Sequence, residues 1–117
     1  MITVTENEVS WIYEGRYIHI RKNEIIGGRD VSSHQVILVI YREDTKYSVL
    51  EGVNYDGSGR FIFRSSDEKG VEYFLDHPHI ENAVVGWVKE GDSYEDCYFS
   101  IDPITGQLIR AEEHISR

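Results

Sequence analysis

Positive charge is scarce in this chain: 12 Lys and Arg stand against 21 Asp and Glu, a formal net charge of -9 at pH 7. That shortage argues against binding to nucleic-acid phosphates or to an anionic membrane surface, since both need clustered Lys and Arg. Cysteine is scarcer still. The single Cys97 excludes an internal disulfide and fits a reducing compartment. No apolar run approaches the length of a membrane span, and the opening MITVTENEVSW has neither the basic segment nor the apolar core of an export signal. These absences point to a soluble, cytoplasmic protein. One domain, residues 1–117, is long enough to bury roughly two-thirds of its unfolded surface without staples.

What is present is a strong strand signal. Val36 to Tyr41, VILVIY, is an unbroken apolar run rich in β-branched residues and too short for an ordinary helix. It reads as a strand buried on both faces, in the middle of a sheet. The polar break Arg42 to Lys46 has the length of a hairpin connection, and beyond it period-2 alternation begins. Tyr47, Val49, Glu51, Val53 and Tyr55 fall on one face, Ser48, Leu50, Gly52 and Asn54 on the other, with Gly52 placed for a bulge. Asp56-Gly57-Ser58-Gly59 is a tight turn, after which Phe61 and Phe63 alternate with Arg60, Ile62 and Arg64.

Before this stretch, Ile2 to Thr5 reads as a short strand, and Val9 to Tyr13 with Tyr17 to Arg21 as a hairpin about Glu14-Gly15-Arg16. A short helix competes there, because Thr5 and Glu8 fit a capping box. Aromatic and β-branched content favours the strand. Ile25-Ile26 begins another strand, and Gly27-Gly28-Arg29-Asp30 reads as a turn or loop. After it, Ser65-Ser66-Asp67-Glu68 has the form of a helix start, Val71, Phe74 and Leu75 give helical spacing, and Pro78 stops it. One short helix over residues 66–76 follows. AVVGWVK from Ala83, the acidic turn Glu90 to Glu95 and the strand Asp96 to Asp102 form a second hairpin. A turn at Asp102 to Gly106 leads to a last strand, Gln107 to Ala111, and Glu112 to Arg117 frays. The fold class is therefore mainly β (α+β): an antiparallel meander of seven to nine strands, open to curling toward a barrel, with one helix.

No constellation carries a catalytic signature. Asp76-His77-Pro78-His79 has metal-ligand chemistry, but a proline separates the two imidazoles, and His19 and His34 complete a set only if the fold brings them there. Asp56-Gly57-Ser58-Gly59-Arg60 lacks both the nucleophile-elbow spacing and a phosphate-loop lysine. Cys97 lies between Asp96 and Tyr98, where acids raise a thiol pKa, and reads as a small buried residue. Asp92, Glu95 and Asp96 are oxygen ligands in one turn without the spacing of a calcium loop. No cofactor and no metal is expected.

The charge is unevenly spread. Residues 1–64 hold eight Lys and Arg against nine Asp and Glu, whereas residues 65–117 hold four against twelve, so the second half carries -8 of the -9. Eight Tyr, four Phe and two Trp add an aromatic content of 12%, and with one helix on the sheet some of those rings stay accessible. Together they point to a non-catalytic binding protein of the immunity or inhibitor type, docking on a basic partner such as a toxin or nuclease, as a monomer or homodimer. The expected contact residues are Glu90, Asp92, Tyr94, Glu95, Asp96 and Tyr98. Two alternatives stand beside it. One is a half-barrel small-molecule binder or enzyme using the His77 and His79 region, which a side-chain-filled interior would end and a pocket of several hundred cubic ångströms near those histidines would support. The other is an assembly subunit pairing through an exposed sheet edge.

Overall fold

The structure is a computed structural model that describes residues 1–43, 47–113 and 115. Among these there are eleven strands and no helix: β1 (Thr3–Val4), β2 (Glu8–Tyr13), β3 (Arg16–Arg21), β4 (Glu24–Val31), β5 (Val36–Arg42), β6 (Ser48–Asn54), β7 (Gly59–Arg64), β8 (Lys69–Phe74), β9 (Ala83–Glu90), β10 (Ser93–Ile101) and β11 (Leu108–Arg110). They form three antiparallel sheets, β1-β2-β3, β4-β5-β6-β7 and β11-β10-β9-β8, each pairing only consecutive strands. The meander is thus tripled, and its sheets stay open rather than closing into a barrel. The middle of the Arg42–Lys46 connection and the end of the C-terminal tail lie outside the described residues; Arg42 and Ser48 face each other across β5 and β6.

The sheet containing β5 is the middle layer. Val36, Leu38 and Ile40 on one face join Leu50, Val71, Val84, Phe99 and Ile101 in one core. Ile37, Val39 and Tyr41 on the other join Val9, Trp11, Val49 and Val53 in a second. All six residues from Val36 to Tyr41 are at most 2% exposed, as an apolar run without alternation requires. The outer layers alternate. Ile18 and Ile20 of β3 turn inward and Tyr17, His19 and Arg21 outward, and β2 joins β3 through Glu14-Gly15, both at positive φ (50° and 76°), the geometry of a type I′ turn. The N-terminal hairpin is therefore as the sequence indicates, and the competing helix is absent.

Two local expectations are overturned. Residues 66–76 are not a helix: Lys69–Phe74 is strand β8. A bulge at Glu72, where the register to β9 slips between Val71 and Tyr73, puts Val71 and Phe74 on one core face at i, i+3 spacing and so imitates helical periodicity. The capping serine is otherwise engaged. Ser65 donates its N–H to the Ser48 carbonyl, and its Oγ accepts the Val71 N–H at 3.1 Å. Gly27 to Asp30 is not a turn but the interior of β4, where the glycines serve close approach: a Cβ at Gly27 would stand 3.1 Å from the Phe74 ring, and one at Gly28 3.0 Å from Val4. The bulge expected at Gly52 is present, in the pairing of β6 with β7.

A polar link also ties the middle layer to the β1–β3 layer, and two more lie within the middle layer. Trp11 Nε1–H donates to the Tyr55 carbonyl at 2.7 Å, Tyr55 donates its hydroxyl to Asp30, and Tyr41 donates to Glu51 at 2.8 Å. Burial and the acceptor carboxylate push the Tyr55 phenol up to about 12, and the same causes raise Tyr41 further.

Two outcomes follow. Ile37→Ala and Leu38→Ala open cavities in different cores, so each should cost about 2–5 kcal/mol in urea unfolding and the pair should be close to additive; one cheap substitution would mean that one face of β5 is not packed. Because the folded phenols titrate above their unfolded value of 10, their contribution to stability is complete below pH 10 and lost as pH rises through about 12. Absorbance titration should show two phenols silent until the chain unfolds in that alkaline window.

Candidate functional site

The acidic hairpin predicted from sequence is β9–β10, joined by a two-residue turn, Gly91-Asp92, with Gly91 at φ 64°. Alternation along β10 divides the six predicted contact residues between two faces. Cys97, Phe99 and Ile101 point into the core, and Glu95 shares their side. Tyr94, Asp96 and Tyr98 point away from the middle layer. Glu90 ends β9 and Asp92 stands at the exposed tip.

The two faces handle charge differently. On the core side, beyond the last buried residue, Arg110 of β11 donates one nitrogen to Glu90 and the other to Glu95, each at 2.9 Å. Two of the four predicted acids are thus offset by one guanidinium, a clasp that depends on β10–β11 pairing and is invisible locally. On the outer side, register sets Asp96 opposite Trp87, Tyr98 opposite Val85 and Tyr94 opposite Lys89. Trp87 lies over Gly70 of β8, where any Cβ would collide with the indole; the glycine is what allows the ring to lie flat on the sheet. Glu72 at the bulge and Tyr73 complete the surface, with Tyr73 48% and Tyr94 56% exposed. Among the described residues no fourth sheet lies over this face.

Two depressions mark it. One of about 340 Å³ is lined by Glu72, Trp87, Tyr94 and Asp96 and reaches Ser48 and Val71, with Arg42 at its rim. The other, about 370 Å³, lies between Tyr73, Val85 and Tyr98 and also touches Glu72 and Asp96; Ile115 of the C-terminal tail lines it. Trp87, Tyr73 and Glu72 were not among the predicted contact residues. The aromatic content pointed to accessible rings, but only the pairing register shows which rings adjoin which acids.

The Asp76-His77-Pro78-His79 segment does border a depression, of about 640 Å³ and open to solvent, with Arg29 and Ile80 to Ala83. Several of its polar groups are already engaged. Asp76 accepts from Arg29, His77 Nε2 lies 3.0 Å from Glu113, and the His79 N–H donates to His77 Nδ1 at 3.0 Å. His19 instead stacks on Tyr17 beside Glu8, and His34 bonds Ser33, so neither joins the cluster. Among the described residues no three His, Cys, Asp or Glu side chains gather as a metal would require. Asp56 to Gly59 is a turn whose Asp56 carboxylate accepts the Ser58 hydroxyl and N–H, which holds its carboxyl below the usual range. No helix among the described residues is long and apolar enough to cross a membrane.

Cys97 is buried, 3% exposed, and burial pushes its thiol up, with Glu95 and Glu90 adding to the rise and Arg110 and Lys69 opposing it.

Compared with known proteins, the chain matches no family model and no curated sequence. Among solved structures its fold is similar to a chain in the structure of Tne2 in complex with Tni2: the two are 15% identical with a TM-score of 0.67, over 94% of this chain and 78% of that chain. At that identity the likeness is one of fold.

The neutral, buried thiol should resist alkylation by iodoacetamide in the native protein and react promptly in urea. Fast native labelling would place Cys97 at the surface and void the assignment of faces along β10.

Proposed function

We propose that this is a non-catalytic binding protein of the immunity or inhibitor type, which docks on a basic partner protein through the outer end of the β9–β10 hairpin, with Asp92, Tyr94, Asp96 and Tyr98 in contact and Glu90 and Glu95 at the margin. The observation that carries the reading is the outer face of β8–β11: exposed tyrosines and a tryptophan interleaved with carboxylates, over which the described residues place no further sheet. Aromatic rings provide contact area at small entropic cost, and acids around them select a basic partner and accelerate its approach. The bias of -8 in residues 65–117 extends that field beyond the contact residues. Similarity of fold to a chain solved in a two-protein complex is compatible with such a role. A cytoplasmic setting fits the lone buried thiol.

The small-molecule alternative keeps one favourable observation, the 640 Å³ depression beside His77 and His79. Against it, side chains pack the interior between the layers, and two polar groups of that depression, Asp76 and His77, are tied to Arg29 and Glu113.

The test is capture with the purified chain from its source cell, identification of the bound protein, and measurement of its association rate as salt rises. A basic partner whose association slows strongly between about 0.01 and 0.15 M salt, as the Debye length falls from about 30 to 8 Å, is the expected result. A partner of acidic character, or a rate indifferent to salt, would refute the reading.

A further inference from the structure

The cations that the β8–β11 layer lacks are concentrated in the first half of the chain, where residues 1–64 hold eight of the 12 Lys and Arg. Two of these arginines meet where three hairpin turns converge: β2–β3 at Glu14-Gly15, β4–β5 at Ser32 to Gln35, and β6–β7 at Tyr55 to Ser58. The turns surround a depression of about 400 Å³ at the Val36–Asn54 end of the middle sheet, the far end from the Arg42–Ser48 pair. They are bound to one another. The Tyr55 N–H donates to the Gln35 carbonyl at 3.0 Å, Trp11 Nε1–H donates to the Tyr55 carbonyl, and the Tyr13 and Tyr55 rings meet edge to face with centroids 5.7 Å apart.

A chain of hydrogen bonds fixes how the charges are used. Arg60 Nε–H donates to Asn54 Oδ1 at 2.7 Å, Asn54 Nδ2–H to Ser58 Oγ at 3.0 Å, and the Ser58 hydroxyl to Asp56 Oδ1 at 2.6 Å, with the Arg16 charge close enough to favour the Asp56 carboxylate. Asp56 is thus committed to its own turn, where it also accepts the Ser58 N–H at 2.9 Å. Arg60 is not. Held at Nε, it pairs with no carboxylate among the described residues, which leaves both its Nη groups for a ligand. Those groups form the edge with which a guanidinium takes two oxygens at once.

We propose that this depression binds the phosphate monoester of a small molecule, with the phosphate on the Nη edge of Arg60 and Arg16 lending a second positive charge. One phosphate needs one or two arginines and not the basic track that a nucleic acid demands. A carboxylate has two oxygens, both taken up by the Arg60 edge. A phosphate monoester has three, so one is left for the Gln35 amide or the His34 imidazole, which line the same depression. The volume exceeds that of a bare phosphate and lies in the range of small-molecule sites, and Tyr13 and Tyr55 supply walls for the organic part. Glu14 also lines the depression and opposes any anion, so the proposal fixes the sign of its substitution.

The probe is phenyl phosphate titrated into the full chain at fixed ionic strength, followed by amide and arginine Nε–H chemical shifts. Shifts should concentrate on the Arg60 Nε–H and on residues 13–16, 34–35 and 54–60. Arg60→Gln should weaken binding about tenfold, Arg60→Lys, which keeps the charge and loses the fork, about fivefold, and Glu14→Gln should tighten it about twofold. Unmoved amide shifts in β8–β11 check that each variant is folded. Arg21→Gln, which removes the same charge from an exposed position on β3, should leave affinity unchanged. If it is as costly as Arg60→Gln, attraction is diffuse and the seat is overturned. Benzoate bound as tightly as phenyl phosphate, at the same residues, would overturn the choice of phosphate, and a phosphoserine peptide bound more tightly than either would overturn the small-molecule ligand in favour of a modified protein. Phenyl phosphate without localised shifts would remove the site.

Discussion

The burial of β5 on both faces is the constraint from which the rest of the architecture follows. Between Val36 and Tyr41 there is no polar side chain to turn toward water, so a layer is needed on each side. At about 1.5–3 kcal/mol for each large apolar side chain taken out of water, leaving either face wet would forfeit several kcal/mol, comparable to a small protein's whole stability. The chain meets that demand with three meanders of consecutive strands, one folded onto each face of the third. Both faces of β5 are thereby covered. The outward faces of the two flanking sheets are left open to partners.

Those faces diverge because of where the chain has placed its cations. Residues 1–64 are nearly balanced, and their outer sheet surrounds Glu8 with Tyr17, His19 and Arg21. Residues 65–117 have four cations for twelve acids, and Arg110 is used on the core side, clasping Glu90 and Glu95 where β11 meets the hairpin. That clasp fastens a three-residue edge strand by side chains as well as by backbone pairing. On the outer side, Glu72 and Asp96 border the same depressions as the aromatic rings.

Much of this was legible wherever the signal is local. The β2–β3 hairpin declares itself through Glu14-Gly15 and alternation, β5 through an uninterrupted apolar run, and the β9–β10 hairpin through Glu90-Gly91-Asp92. Reading failed where one residue is inserted into a ladder. At Glu72 the bulge shifts Phe74 onto the face of Val71, and a two-residue period looks like a helical one. It failed also where glycine signifies closeness rather than reversal, as at Gly27 and Gly28, packed by Phe74 and Val4 from distant parts of the chain. The candidate site divides the same way: Tyr94, Asp96 and Tyr98 share a face by period alone, but their neighbours Trp87 and Glu72 come from other strands, and pairing register between strands is not written in any one of them.

The manner of recognition follows from how the edge beside the first depression is finished. β8 is a terminal strand, and such strands invite pairing with another chain. At its first half the backbone groups are taken: Ser48 donates its hydroxyl to the Val71 carbonyl, the Val71 N–H is accepted by Ser65, and the Ser66 N–H donates to the Lys69 carbonyl. These serines come from the start of the middle layer's β6 and from the β7–β8 connector, so the contact between layers also seals the edge. At Lys69 and Val71 a partner strand would meet backbone groups already engaged, which disfavours strand addition there and favours attachment through side chains on the open face. The same bulge that moves Phe74 into the core turns Glu72 toward that face. One inserted residue thus helps to complete the packing on one side of the sheet and to set a carboxylate beside Trp87 on the other.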